Sequence, residues 1–170
     1  MKKTSLIMLS ALVLSLAAAA VAQQKDAQGC KDHSLFTRMP GYWIHSCQEK
    51  EFDAFAFVTG KGQTVTVEGH WWRYNYYPQA TATSKPSDLQ IQRNFQNAVQ
   101  QQGGQVVWTE KGRDTYKLVK DGQEFWVQLA AEFTGKYFLT IVQKQGMAQD
   151  IVANAAALAQ GLKNMGHMTV

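Results

Sequence analysis

Two short runs carry the residue types that metal chemistry uses. Cys30-Lys31-Asp32-His33 and His45-Ser46-Cys47 together offer two thiolates and two imidazoles, a set that tetrahedral zinc accepts. Strict strand alternation would put His45 and Cys47 on one face. Yet HxC is not a usual zinc knuckle, and an isolated cysteine pair in an oxidising compartment forms a disulfide. A Cys30–Cys47 disulfide is therefore the leading reading, with a zinc site and unpaired thiols as the competing ones. Closing that loop stabilises a fold by roughly 3 kcal/mol in the chain-entropy treatment.

The densest unusual run is Gly69-His70-Trp71-Trp72-Arg73-Tyr74-Asn75-Tyr76-Tyr77. Ring faces interleaved with polar groups suit a sugar or another ring-bearing ligand, or a protein partner. The plainer reading is core on one strand face and ordinary surface on the other. Five aromatics fall within the seven positions 71–77, and successive strand side chains point to opposite faces, so they cannot all point inward. Trp71, Trp72, Arg73, Tyr74 and Tyr76 are accordingly the candidate ligand or partner surface.

Reaction chemistry is harder to find. The mature serines Ser34, Ser46, Ser84 and Ser87 lie outside any Gly-x-Ser-x-Gly elbow. Glu68 and His70 have the spacing of an acid–base pair, but two polar residues on a solvent face explain it equally well. Gly60-Lys61-Gly62 precedes a strand where a phosphate loop would precede a helix, so it reads as a turn. The chain is expected to be non-enzymatic, with no catalytic residue, cofactor or bound metal assigned.

These residues need a scaffold and an address. Lys2 and Lys3, an apolar run from Leu6 to Ala20, and Ala20-Val21-Ala22 form a cleavable secretory signal over residues 1–22, with the mature chain starting at Gln23. The apolar stretch is shorter than the roughly 20 residues that span hydrocarbon. Removing 22 of 170 residues leaves 148, enough for one domain with a single core. Losing Lys2 and Lys3 lowers the net charge from +4 to +2, too small and dispersed for nucleic acid. A periplasmic location follows, with no membrane span after cleavage.

From Gln23 to His33 the composition is polar and reads as a flexible leader anchored only at Cys30. A single α+β domain is expected over 34–166. Strands are expected at Tyr42–Cys47, Phe52–Thr59, Thr64–Tyr77, Val106–Glu110, Thr115–Lys120, Glu124–Ala131 and Tyr137–Lys144, with a bulge or bend at Gly69. Asp121-Gly122 is a hairpin signal, since both residues tolerate positive φ. Ser87 and Gln90 are spaced as a capping box for a helix that reaches about Gln102, stopped by Gly103-Gly104. A second helix is expected over Met147–Met165, with Ile151, Ala155, Leu158, Leu162 and Met165 on one stripe. Each half thus reads as a strand run followed by a helix, a tandem pseudo-repeat whose antiparallel strands carry two helices packed on one face.

Two stretches resemble a known family: Asp32-His33-Ser34-Leu35-Phe36-Thr37-Arg38-Met39-Pro40-Gly41-Tyr42 with Glu49-Lys50-Glu51-Phe52-Asp53, and Leu89-Gln90-Ile91-Gln92-Arg93-Asn94-Phe95-Gln96-Asn97-Ala98 closing on Gly103-Gly104. They resemble the amino-terminal region of OmpA family envelope proteins, which carry a peptidoglycan-binding domain at the carboxyl end. In that likeness His167-Met168-Thr169-Val170 matches the start of the strand that opens the wall-binding domain, whose ligand residues lie beyond this sequence. The resemblance implies an accessory or interaction domain in the periplasm, associated with the outer membrane, with another envelope protein as partner. A small apolar or glycan ligand held on an aromatic sheet face is the alternative. An enclosed pocket lined by Trp71, Tyr74 and Tyr76 would favour the ligand, and a flat exposed aromatic patch the protein partner.

Overall fold

The computed structural model describes residues 23–148. The signal region 1–22 and the strand expected at 167–170 lie outside the described residues, as does all but Met147 and Ala148 of the second expected helix. The elements are β1 (Tyr42–Gly60), β2 (Gln63–Pro78), α1 (Asp88–Gln101), β3 (Gln105–Glu110), β4 (Arg113–Lys120), β5 (Gln123–Ala131) and β6 (Tyr137–Lys144). All six strands join one antiparallel sheet in the order β1-β2-β6-β5-β4-β3.

The expectation of an α+β domain with two helices on one face is therefore corrected. The described fold is dominated by its sheet, and α1 is its one described helix. The tandem pseudo-repeat fails for a topological reason. β6 from the second half inserts between β2 and β5, so the two halves share one sheet. The two strands read at 42–47 and 52–59 are likewise one continuous strand, because Gln48, Glu49 and Lys50 stay paired with β2 although their side chains carry no apolar signal.

Local chemistry explains the punctuation. Ser87 Oγ accepts from the Gln90 N–H at 3.1 Å, which satisfies an otherwise orphaned donor at the start of α1. Ile91, Phe95 and Val99 recur every fourth residue and are buried against the sheet. Asp121 (φ 52°) and Gly122 (φ 75°) form the two-residue turn between β4 and β5.

Both faces of the sheet are covered. On one, Tyr74, Tyr76, Val127, Leu129, Leu139 and Ile141 pack with α1 and with Leu35 and Phe36. On the other, the outer half of the β1–β2 hairpin turns back over the sheet. The bend falls at Gly69, where a Cβ would meet the Gln143 carbonyl oxygen at 1.9 Å, and at a bulge in β1 between Lys50 and Asp53. Phe57 is consequently fully buried, its ring 5.7 Å from that of Trp126, and the Val58 N–H donates to Gln128 Oε1 at 3.3 Å. Trp71, Val67 and Val142 complete this smaller core.

The leader is not held by Cys30 alone, as its composition suggested. Ala27 N–H donates to the Ile44 carbonyl and Asp26 accepts from the Ile44 N–H, both at 2.8 Å. Gln24 exchanges hydrogen bonds with Gln79 through backbone and side chain. Polar residues here satisfy the backbone at the start of β1, a role that hydrophobic patterning does not reveal.

Candidate functional site

The five aromatic-strand candidates separate by strand alternation. Trp71, Tyr74 and Tyr76 are buried, with 7%, 6% and 2% of their surface exposed, while Trp72 is half-buried and Arg73 exposed. Trp71 belongs to the core beneath the hairpin, and Tyr74 and Tyr76 belong to the core beneath α1. Tyr76 stacks on Tyr137 with centroids 4.7 Å apart, and its hydroxyl donates to Asp32 at 2.9 Å. Burial pushes the Tyr74 hydroxyl up to about 12 and the Tyr76 and Tyr137 hydroxyls up as well, so all three stay protonated at neutral pH. The structure thus brings three candidates into core and leaves Trp72 and Arg73 at the surface on opposite faces.

Trp72 lies between two histidines. The His70 ring stacks on it at 3.9 Å and His33 meets it edge-on at 4.6 Å. His70 Nε2 pairs with Glu49 at 2.8 Å, not with Glu68, so the expected acid–base spacing is broken at the Gly69 bend. His33 Nδ1 accepts from the Leu35 N–H at 3.2 Å. Burial, helped by the nearby Lys120 charge, lowers the His33 pKa from 6.5 to about 4. His33 is therefore neutral at pH 7 and serves as packing and as an acceptor.

Cys30 and Cys47 are joined, with Cα atoms 5.8 Å apart. The zinc reading loses both sulfur ligands to this bond. It also loses His45, because a register shift between Ile44 and Ser46 breaks the alternation. The bulge leaves His45 stacked on Tyr77 while Cys47 lies opposite Tyr74, on the side where the leader arrives. Among the described residues no group of three or more His, Cys, Asp or Glu is placed to hold a metal ion.

Sequence reasoning missed two features. The first is a surface patch of Trp43, His45 and Tyr77. His45 lies nearly parallel to Tyr77 at 4.2 Å, Trp43 meets both rings edge-on at 5.3 and 6.0 Å, and Lys136 Nζ sits 4.4 Å from the Tyr77 centroid. Trp43 faces Tyr77 directly across β1 and β2. Counting outward from the Gly60-Lys61-Gly62 turn would have found this pair had three register shifts not intervened.

The second is Asp114, which is wholly buried and has no ion-pair partner among the described residues. It accepts from Gln92 at 2.8 Å, Gln96 at 3.0 Å and Tyr116 at 2.6 Å, and also from Thr109. This carboxylate fastens α1 to β3 and β4. A separate surface cluster, Arg38 between Asp26 and Asp32, fastens the leader, and Arg38 holds the Asp26 carboxyl below its usual range.

Open grooves on the described surface include one of about 710 Å³ between α1 and β3, one of about 400 Å³ between α1 and residues 35–40, and one of about 730 Å³ beside the outer half of β2. Trp71, Tyr74 and Tyr76 line none of them. The chain matches no known family model and no curated protein. No helix among the described residues is long and apolar enough to cross a membrane.

Proposed function

We propose that this chain is a non-enzymatic accessory or interaction domain of the bacterial cell envelope, acting through a partly exposed aromatic surface on the β1–β2 hairpin. The observation that carries this reading is the fate of the aromatic strand. Its most ring-rich positions are consumed by two cores, while the half-buried Trp43 and Tyr77 and the exposed His45 cluster where the hairpin meets solvent. A patch without an enclosing pocket supports a protein partner over a small apolar or glycan ligand. The resemblance to the amino-terminal region of OmpA family proteins supplies the setting: export by the signal at 1–22, the periplasm, and a place alongside the outer membrane. The Cys30–Cys47 disulfide is compatible with that oxidising compartment.

The test pairs substitution with envelope fractionation. Trp43→Ala combined with Tyr77→Ala, and Trp72→Ala alone, are made in the exported protein. Thermal melts check that each variant folds. Cross-linking to envelope proteins and co-sedimentation with purified wall and outer-membrane fractions then follow. Folded patch variants are expected to lose cross-linked partners. Unchanged cross-linking in folded variants refutes the reading, and binding to purified glycan with no protein cross-link moves it to the small-ligand alternative.

A further inference from the structure

We propose that the groove between α1 and β3 binds a short extended peptide, which adds as a strand to the free edge of β3. The peptide directs an apolar side chain onto Leu89 and Val106 and an acidic one toward Arg93 and Lys111. The site is separate from the Trp43–His45–Tyr77 patch and stands whether or not that patch has a partner.

β3 closes one end of the sheet and, among the described residues, pairs with β4 alone. Its outward backbone groups are the template that strand addition uses. α1 packs over the sheet face at β3, β4 and β5, and the open space it leaves against β3, about 710 Å³, is the size of a ligand site. A helix wall beside a free edge strand suits an extended peptide, because the ladder supplies affinity and the groove reads alternate side chains. A bulge between Val106 and Trp108 shortens the regular edge, which discourages long unrelated strands and favours a brief segment.

The groove is pre-formed. Gln92 and Gln96 on the helix wall and Thr109 on the strand wall all hydrogen-bond to the fully buried Asp114, so both walls are fixed from beneath. A fixed groove avoids the ordering cost of assembling one on binding. Its apolar foothold is Leu89, 58% exposed, with the half-buried Val106.

Charge sets the peptide's sign. Glu110 is engaged by Arg113 at 3.0 Å, and Asp88 sits in the first turn of α1, where the helix dipole offsets it. Arg93 donates to the neutral Gln96 amide, and neither Arg93 nor Lys111 has a carboxylate partner among the described residues. Among the described residues Arg93 and Lys111 therefore line the groove without an ion-pair partner, while Glu110 is already engaged by Arg113.

The experiment is an NMR titration of the isotope-labelled full chain with a ten-residue peptide in which threonine fills every second position and the positions between, which share one strand face, are valine and glutamate in turn. Two controls are used: the same peptide with lysine in place of glutamate, and the glutamate peptide interrupted by proline. The glutamate peptide is expected to shift the amides of Val106–Glu110 and Leu89. Arg93→Glu with Lys111→Glu should weaken it by about tenfold, while Trp43→Ala leaves it unchanged. Equal binding of the proline-interrupted peptide overturns strand addition, and equal binding of the lysine peptide overturns the charge assignment. Absence of shifts along β3 at millimolar peptide overturns the site. A sedimentation dimer with protected β3 amides also overturns it, since a second copy would then occupy the edge.

Discussion

Asp114 offers the sharpest test of how this fold is held. Asp114→Ala removes the acceptor for four donors at once. Gln96 and Thr109 border the open groove, so water replaces their lost partner. Tyr116, 0% exposed, has no such relief, whereas Gln92 also borders the groove and keeps its bond to the Glu110 carbonyl at 2.8 Å. A buried polar group left unsatisfied costs about 1–3 kcal/mol, so the stranded Tyr116 hydroxyl predicts a loss of that size, a large fraction of a small domain's stability. Asp114→Asn keeps one oxygen but turns an amide donor toward groups that themselves donate, and should cost roughly half as much. Tyr116→Phe removes a single donor and should cost about 1–2 kcal/mol. Urea denaturation of the three variants, with slopes compared to confirm that each unfolds in one step, reads these differences directly. If Asp114→Asn is within about 0.5 kcal/mol of the parent, the carboxylate is not what joins α1 to the sheet, and the reasoning fails.

Three further outcomes are expected. His33 binds a proton more readily unfolded than folded between pH 6.5 and about 4, so its contribution is complete above pH 6.5 and lost as pH falls toward 4. After discounting for its partial exposure this amounts to about 1–2 kcal/mol, and His33→Phe should remove that part of the pH slope in urea melts. Gly69→Ala places a methyl group against the Gln143 carbonyl at a φ of 153°, and should lower stability by about 3 kcal/mol or prevent folding, as read by the thermal midpoint. Reducing the Cys30–Cys47 bond, 17 residues apart in sequence, should cost about 3 kcal/mol in the same measurement and increase hydrogen exchange at Ile44.

Strand and turn positions were largely legible because their signals are local. Alternation marked β2 to β6, Asp121-Gly122 marked its hairpin, and Ser87 with Gly103 bounded α1. The disulfide was legible from the isolated cysteine pair together with the oxidising compartment that the sequence led us to expect. Sheet order was not, because nothing in the sequence of β6 says that it lies between β2 and β5. The candidate surface was half legible for the same reason. Alternation required some of Trp71–Tyr77 to face outward, but a hairpin folded over the second face buried Trp71 as well. The Trp43–His45–Tyr77 patch depends on the pairing of residues more than 30 positions apart across bulges, and Asp114 looks like any polar strand residue until its four partners converge.

The position of β6 also governs the order in which this molecule can be assembled. Residues 137–144 are the last of the described strands to be synthesised, yet they form the seam between β2 and β5. Before that seam exists, the nascent chain holds a bent hairpin and a three-stranded meander tethered by α1, each with a raw edge. Contacts such as Trp72 with Ile141 join distant parts of the sequence, and closing such loops late is slow. The six-stranded sheet is therefore incomplete until residues 137–144 are available. A fragment ending before Tyr137 should behave as two sticky halves prone to pairing with other chains.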